Sequence, residues 1–326
     1  MIEIAKNISE ATCITHGGNM HADDVFATAF LELYLKSIKV YRVDFYDENE
    51  IPKDAIVYDV GFGKFDHHQP DPKLRENKIP YCSFGLLWNE YGREFLSNEN
   101  LTAEQLELVF ETFDKNLVEA IDADDNGIFP EINAPYKVKT VSDIIKLFNV
   151  SYGSNKISNG NVEFVMNEKT LQNMQFLKAV DIASNIISEE LKHIISKVKA
   201  SKKVLESLES AKNNILYLEE YMPYLDTLLK NDINKEIYFV IFPSNRVGYT
   251  IKTVANSKED PTHRVSFPKE WGGLINERLE EVSGIKNVLF CHNKLFIASA
   301  KTKEAAYEMA KKSIDYKNNQ LEQEIL

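Results

Sequence analysis

The first half of the chain alternates between short apolar runs and stretches with helical spacing. Residues 11–15 (ATCIT), 40–46 and 55–60 (AIVYDV) are apolar and β-branched, as expected of buried strands. Residues 22–36 (ADDVFATAFLELYLK) lie between the first two runs and place apolar side chains three and four positions apart, the spacing of an amphipathic helix. The order strand, helix, strand predicts βαβ units and a mostly parallel sheet.

Further along the chain, helical spacing and strand-like runs continue in a different order. Helices are predicted at 83–95, 102–122, 168–210 and 302–316, and strands at 214–218, 236–242, 246–254 and 288–300. Thr102 is predicted to cap its helix in a capping box with Gln105, and Asn293-Lys294 to form a hairpin turn. The polar segment 151–161 (SYGSNKISNGN) predicts a loop.

These patterns predict an α/β protein with two domains. A parallel-sheet domain is expected over residues 1–200, with a long linking helix near its end. A smaller mixed α/β domain is expected over residues 212–326.

Composition and charge exclude several classes of protein. The chain is 44% hydrophobic and 27% charged, which excludes a disordered chain, a collagen and a disulfide-dense miniprotein. Lys and Arg number 38 against 50 Asp and Glu, a net charge of −12, whereas a non-specific duplex-DNA binder is normally basic. An acidic chain that acts on phosphates needs metal ions or a local basic patch to offset repulsion.

Cysteine content and hydropathy favour a soluble cytoplasmic protein. Three scattered cysteines, Cys13, Cys82 and Cys291, do not make a disulfide framework, and Cys13 and Cys291 are expected in the core. No apolar run reaches the roughly 18 residues that span a bilayer, and the N-terminus lacks the pattern of a signal peptide. No membrane contact is therefore expected.

Four of the seven histidines lie just after predicted strands. His16 and His21 follow the first strand, and His67 and His68 follow the third. In an open α/β sheet the carboxyl edge of the strands is where ligands bind. We therefore expect these side chains to share one site.

Acidic residues accompany the first pair of histidines. His21 and Asp23 lie two apart at a loop-to-helix junction, so both can point into one cavity, and the helix N-terminus favours an anion there. The alternative for Asp23 or Asp24 is a helix N-cap, which stabilises a first turn by about 1 kcal/mol.

Two more acidic groups follow. Asp59 ends the apolar run AIVYDV and needs a polar partner, for which a metal ion suffices. Asp66-His67-His68 follows and offers mixed oxygen and imidazole ligands, typical of Mn²⁺ and less distinctively of Mg²⁺ or Zn²⁺; the alternative is a polar turn.

The other acidic group lies at the C-terminus of a predicted helix and comprises Asp122, Asp124 and Asp125. Three carboxylates are unfavourable there unless a cation lies among them; the alternative is a solvated acidic helix end.

The number of candidate ligands exceeds what one ion uses. About seven exist: His16, His21, Asp23, Asp59, His67 and either or both of Asp122 and Asp125. They predict two divalent ions about 3.5–4 Å apart, with Asp59 as the bridge, the arrangement of many phosphoryl-transfer enzymes.

Four collinear motifs between residues 15 and 285 carry a family resemblance. They are THGGNMHADDVFA, YDVGFGKFDHHQ, IDADDNGI and FPKEWGGL followed by EVSGI. With these motifs the chain resembles the melanocyte proliferating gene one family of metal-dependent hydrolases, within the DHH phosphoesterase superfamily.

The resemblance implies a DHH-like domain, a DHHA1-like domain and an active site in the cleft between them. It implies two metals held by the residues matching the candidate ligands, with Asp125 favoured over Asp122. It places His68 against the scissile phosphate, and we assign Asp66 and Asp24 to the catalytic group with it. One departure is His21-Ala22-Asp23, where many superfamily members have Asp-x-Asp.

The second domain is expected to bind the substrate. Basic candidates for contacts with phosphates are Arg246, Lys252, His263, Arg264 and Lys301. Arg264 precedes Trp271-Gly272-Gly273, where glycines allow close approach of a phosphate or sugar and Trp271 is a candidate to stack on a base. The alternatives are a surface charge for Arg264 and a core anchor for Trp271. The superfamily's glycine-rich patch is reduced here to Gly272 and Gly273.

The leading hypothesis is a metal-dependent phosphodiesterase. Related eukaryotic members are linked to 3′-to-5′ RNA exonuclease activity, so the resemblance implies RNA, an oligonucleotide or a nucleotide as substrate, with two divalent ions, Mn²⁺ foremost. The alternatives are a pyrophosphatase-like hydrolase and a non-catalytic metal-binding regulatory protein. The sequence leaves open the physiological substrate, the native metal and the oligomeric state, a homo-oligomer included.

Overall fold

Two compact units make up the chain, residues 1–195 and residues 196–326. The computed structural model describes the backbone of residues 1–154, 156–159 and 162–325, and side chains within residues 1–154 and 166–320. The predicted domains were residues 1–200 and 212–326, and the first unit of the structure ends at residue 195, also inside the long helix.

A four-stranded parallel sheet lies in the first unit. Its strands are β1 (Ile2–Ile4), β2 (Cys13–His16), β3 (Ile38–Val43) and β4 (Ile56–Val57), in the order β1-β3-β2-β4. All three pairings are parallel, which confirms the predicted sheet type. The apolar run around β2 is buried because this strand is central, with β3 on one side and β4 on the other.

Helices complete the first unit. They are α1 (Ala22–Leu35), α2 (Ser83–Leu96), α3 (Ala103–Phe113), α4 (Glu119–Asp125) and α5 (Val141–Lys146), followed by most of α6 (Glu168–Glu209). Helix α1 is almost completely buried along its first ten residues and packs against α2. The aromatic core between them joins Phe30 to Phe84 and Trp88.

The predicted helix over 102–122 is interrupted in the structure. Thr102 forms the expected capping box with Gln105 at its start. A single π-helical turn, Asp114–Val118, separates α3 from α4. Such turns insert one residue into a helix and often occur at functional sites.

One loop prediction was wrong. The polar segment 151–161 includes strand β5 (Lys156–Asn159), which pairs antiparallel with β6 (Val162–Val165). Because residues 151–161 are mostly polar, composition alone indicated a loop.

A five-stranded mixed sheet lies in the second unit. The strands are β7 (Ile215–Tyr217), β8 (Phe239–Pro243), β9 (Tyr249–Thr253), β10 (Val288–Cys291) and β11 (Ile297–Ala300), in the order β10-β11-β9-β8-β7. β7 and β8 are parallel, and the other pairs are antiparallel. The turn between β10 and β11 includes Asn293 and Lys294, as predicted.

Three helices cover this sheet or connect its strands. They are α7 (Leu225–Asn231), α8 (Asn276–Ser283) and α9 (Lys303–Ile325). The predicted apolar side of α9, with Ala306 and Met309, is buried in the main core of the unit. The sequence analysis missed β1, α5, α7 and α8, which are short or lack a clear apolar period. No helix within the described residues is both long enough and apolar enough to cross a membrane.

Two residues predicted to bind substrate are buried in the second unit. Trp271 is 4% exposed and packs near Phe267 in the core. Arg264 is 8% exposed, its Nη1 pairs with Asp232, and the same nitrogen donates to the carbonyl of Ile237 at 2.8 Å. Asp232 also accepts from the backbone N–H groups of Glu236 and Ile237. This ion pair ties two loops of the unit together.

We predict that Arg264→Ala destabilises the second unit rather than weakening substrate binding. The change leaves Asp232 as a buried, uncompensated charge, which costs about 3–5 kcal/mol. Urea unfolding followed by tryptophan fluorescence measures the loss. The matched control is Arg246→Ala, an exposed arginine of the same unit that is expected to change the free energy of unfolding by less than about 0.5 kcal/mol. Equal stabilities of the two variants would contradict the structural role.

Candidate metal centre

The carboxyl edge of the first sheet brings together the residues that follow two of its strands. β2 ends at His16, and the neighbouring chain continues past β4 to Tyr58, whose N–H donates to the carbonyl of Ile14 at 3.0 Å. Because β2 and β4 run parallel, Asp59 then lies beside His16. His16 Nε2 is 3.2 Å from Asp59 Oδ2.

The backbone after β4 turns sharply at Asp59. Its φ angle of 54° lies in the left-handed region, and Gly61 and Phe62 follow with φ of 85° and 57°. Such a conformation is costly for residues other than glycine, and it clusters at functional sites. The N–H of Asp59 donates to the carbonyl of Phe65 at 3.0 Å, so the chain returns and places residues 66–68 beside the same carboxylate.

The first candidate ion site comprises His16, His21 and Asp59, each of which directs one potential ligand atom towards the others. His16 Nδ1 lies 2.8 Å from the carbonyl of Gly17, so that nitrogen carries the proton and Nε2 is the available ligand. Burial lowers the pKa of His16, but Asp59 and Asp24 more than offset it and raise the value to about 9. Without a cation, His16 is therefore drawn to the protonated state.

Asp24 lies behind this site and does not reach its surface. It is fully buried; its Oδ1 accepts from the N–H of His21 at 2.7 Å, and its Oδ2 lies 3.6 Å from His16 Nε2. Burial raises the pKa of Asp24 to about 6, although His16 lowers it. Asp24 was assigned to the catalytic group; in the structure its buried carboxylate contacts His16 and the backbone of His21.

The second candidate ion site comprises Asp23, His67, Asp125 and a cysteine, Cys82. His67 Nε2 is 3.3 Å from Asp125 Oδ2, and its Nδ1 is 3.5 Å from Asp59 Oδ1 and 3.8 Å from Asp23 Oδ2. Both oxygens of Asp23 accept from the first N–H groups of α2, those of Ser83 at 2.9 Å and Phe84 at 2.7 Å. The N-terminus of α2 thereby fixes Asp23.

The charges of this second site favour binding of a cation. Burial raises the pKa of Asp23 well above its usual value, and the neighbouring carboxylates of Asp59, Asp125 and Asp122 raise it further. Burial lowers the pKa of His67, but Asp125 and Asp59 raise it above its usual value overall. Clustered carboxylates of this kind are stabilised by a positive ion.

Four buried polar atoms around Asp59 make no hydrogen bond. They are His16 Nε2, Asp24 Oδ2, Asp59 Oδ1 and His67 Nδ1. Buried polar groups are nearly always satisfied, so four orphans that converge on one carboxylate need an explanation. Imidazole nitrogens and carboxylate oxygens are ligands of divalent metals, and these residues fit such ions.

His68 lies on the open side of the cluster. Its side chain is 56% exposed and its ring stacks on that of His67 at 4.1 Å. His68 Nδ1 is 2.7 Å from Asp66 Oδ1, and Asp66 Oδ2 accepts from the N–H of Phe62 at 2.6 Å. Burial raises the pKa of Asp66, but the bonds from His68 and Phe62 lower it below its usual value overall. Asp66 is therefore a carboxylate that orients the His68 ring.

Asp122 faces away from the candidate ligands. Its carboxylate pairs with Arg75 Nη1 at 2.7 Å and accepts from the N–H of Gly85 at 3.2 Å. Arg75 also bonds Asp114, in the π-helical turn, through two nitrogens at 2.8 and 3.1 Å. A β-carbon at Gly85 would lie 2.0 Å from Asp122 Oδ2, so only glycine fits there. Of the two late ligands considered, the structure brings Asp125 to His67.

A cleft of about 510 Å³ opens above the cluster. Its lining consists of His21, His67, His68, Gln69, Asp124, Asp125, Asn126 and Lys146. Lys146 pairs with Asp124 at 3.2 Å and supplies a positive charge to the cleft. Sequence reasoning missed Gln69, Lys146 and Cys82 as site residues, since only the fold brings them beside the histidines.

Of the five basic candidates of the second unit, two line a pocket and one is buried. Arg246 and Lys252 line a pocket of about 490 Å³ with aromatic residues that include Tyr221 and Phe290. Arg264 is buried with Asp232, as described above. The pair Gly272-Gly273 lies against Asn293 and Leu295 of the β10–β11 connection, and Gly273 has a φ of 77°. These glycines allow the chain to turn near that connection.

Comparisons with known proteins relate the whole chain to one family. The MYG1_exonuc family model, described as an uncharacterised protein family (UPF0160), matches residues 12–314. The MYG1 protein of Dictyostelium discoideum is 28% identical over 332 residues, covering 94% of this chain and 98% of the relative. The MYG1 exonuclease of Homo sapiens is 26% identical, covering 92% and 85%. A pGpG-specific phosphodiesterase from Vibrio cholerae aligns over 95% of this chain and 99% of its own, at 12% identity and a TM-score of 0.25.

We predict that Asp59→Asn and His67→Ala each weaken binding of Mn²⁺ by at least roughly 10-fold. Even residues that only hydrogen-bond to a metal ligand contribute about 10–100-fold to metal affinity. Asparagine tolerates a positive φ, so the first change removes charge without new backbone strain. Titration calorimetry and elemental analysis of the dialysed protein measure the effect. His193→Ala, an exposed histidine of α6, is the matched control. Unchanged metal content in both variants would identify the cluster as structural.

Proposed function

Because the chain belongs to the MYG1_exonuc family (UPF0160), we propose that it is a metal-dependent phosphodiesterase that removes nucleotides from the 3′ end of RNA or of short oligonucleotides. Family relatives from Mus musculus and Homo sapiens carry the name MYG1 exonuclease. The chain is accordingly an enzyme of the hydrolase class, and the proposal adds the metal, the substrate and the roles of the residues.

The observation that carries the proposal is the position of Asp59 between two groups of potential ligands. Its Oδ2 faces His16 at 3.2 Å and its Oδ1 faces His67 at 3.5 Å. His16, His21 and Asp59 would hold one divalent ion; Asp23, Asp59, His67 and Asp125 would hold the other. Bound divalent ions activate water and offset charge on the phosphoryl group.

His68 is proposed to handle the proton of the leaving group. Asp66 holds Nδ1 of its ring, so Nε2 is the nitrogen left to face a substrate in the cleft. A protonated Nε2 can donate to the oxygen that departs from phosphorus, as a general acid does. The side chain is exposed, as contact with substrate requires, whereas Asp24 is buried and is proposed to position His16 and His21.

Two basic areas support binding of an anionic substrate despite the net charge of −12. Lys146 lies in the cleft of the first unit, and Arg246 and Lys252 line the pocket of the second. Tyr221 and Phe290 in that pocket offer aromatic faces on which unpaired bases can stack. Positive charge beside aromatic rings is typical of sites for single-stranded nucleic acid.

An activity screen tests the proposed substrate class. The wild-type protein is assayed on short RNA, short DNA, linear and cyclic dinucleotides, and pyrophosphate, with and without Mn²⁺. The proposal requires Mn²⁺-dependent release of nucleotides from RNA with a free 3′ end, and loss of that release when the 3′ end is blocked. Hydrolysis of pyrophosphate alone would instead support the pyrophosphatase-like alternative.

We predict that His68→Ala keeps its metal and loses turnover by roughly 10²–10⁴-fold, the usual contribution of a general acid or a charge stabiliser. Steady-state kinetics on the cleaved substrate, together with elemental analysis, separate the two effects. His193→Ala, an exposed histidine of α6, is the matched control. Loss of metal to the extent seen for His67→Ala would show that His68 is a ligand.

We predict that the double variant Arg246→Ala/Lys252→Ala raises KM on RNA roughly tenfold and changes kcat little. Both side chains are proposed to bind phosphates remote from the bond that is cleaved, so they stabilise ground state and transition state alike. Kinetics on RNA of increasing length measure the change. Lys294→Ala, in the β10–β11 turn, serves as the charge control, and an unchanged KM at every length would remove the pocket from the proposed binding surface.

A further inference from the structure

Cys82 is a buried thiol inside the second group of candidate ligands. It immediately precedes α2 and is 0% exposed. Its sulfur and the ligand atoms of Asp23, His67 and Asp125 all lie within 4.8 Å of one another. The other two cysteines, Cys13 and Cys291, are buried within sheets, outside this group.

The surroundings of Cys82 hold its sulfur in place. Asn126 Nδ2 donates to the sulfur at 2.8 Å, and the thiol lies 3.4 Å from the carbonyl of Asp122. The next two residues, Ser83 and Phe84, donate their N–H groups to Asp23. The start of α2 therefore positions a sulfur atom and a carboxylate together.

A second observation points to a ligand at the same place. His67 Nδ1 and Asp59 Oδ1 are buried, face this group and make no hydrogen bond. The side chain of His67 is 8% exposed and that of Asp59 is 2% exposed. Two unsatisfied polar atoms beside a thiol fit an ion-binding site better than simple packing of a small side chain.

We propose that Cys82 is a sulfur ligand of the ion held by Asp23, His67 and Asp125. This inference rests on the proposed metal centre and deepens it. When the ion binds, the S–H proton leaves to solvent and a metal–sulfur bond forms. A thiolate among nitrogen and oxygen ligands favours thiophilic ions such as Zn²⁺, Co²⁺ and Cd²⁺ over Mg²⁺ and Mn²⁺. The two ion sites of the unit would then differ in metal preference, since the other one offers nitrogen and oxygen only.

Cobalt spectroscopy of single-cysteine variants tests the proposal. In the double variant Cys13→Ala/Cys291→Ala, Cys82 is the only cysteine, and Co²⁺ is expected to produce a sulfur-to-cobalt charge-transfer band in the near ultraviolet. Cys82→Ser is expected to lose this band and to bind Cd²⁺ at least roughly 10-fold more weakly, with Mn²⁺ affinity changed far less. Elemental analysis records how much Co²⁺ is bound in each sample.

The possible results separate the two proposals. Bound Co²⁺ without the charge-transfer band in the double variant would overturn the role of Cys82 and leave the metal centre intact. Failure of wild-type protein to bind Co²⁺, Cd²⁺ or Mn²⁺ would overturn both. Because the decisive band is sought in a variant that retains Cys82, the test does not depend on how well Cys82→Ser folds.

Discussion

Burial of carboxylates at one edge of a parallel sheet is the constraint on which the first unit depends. Asp23, Asp24, Asp59, Asp66 and Asp122 are all buried, in a small volume and in a chain that is already acidic. The fold compensates three of these carboxylates, each by a different means. The N-terminus of α2 binds Asp23, the ring of His68 binds Asp66, and Arg75 neutralises Asp122. Asp24 and Asp59 each keep one oxygen without a hydrogen bond, and Asp59 is the one that lies between His16 and His67. For this reason we propose the cluster around Asp59 as the functional part of the unit.

Periodicity and strand order predicted the architecture because both follow from local sequence. The apolar run at β2 and the helical spacing of α1 predict a parallel βαβ arrangement. The parallel pairing of β2 with β4 then places His16 beside Asp59. Short elements such as α5 lack enough periods to be recognised. The strand β5 was predicted as a loop because its residues are polar.

The sequence predicted those residues of the candidate site whose types are rare at the ends of strands. It did not predict those whose position depends on packing between distant segments. Histidines and aspartates after strands are rare enough to single out His16, Asp59 and His67 from the sequence. Arg264 and Trp271 are types that occur equally in binding sites and in cores, and only burial distinguishes the two. Cys82 precedes a helix without any nearby motif, so its place beside His67 depends on contacts between distant segments.

The buried carboxylate of Asp122 restricts which residues the chain accepts at Gly85. Since a β-carbon there would collide with Asp122 Oδ2, any side chain must push α2 outward or turn Asp122 away from Arg75. The same helix begins with the N–H groups of Ser83 and Phe84, which bind Asp23 and directly precede Gly85. A position that supplies no candidate ligand is thereby restricted by the space around it, and a random mutational scan would find it intolerant for that reason.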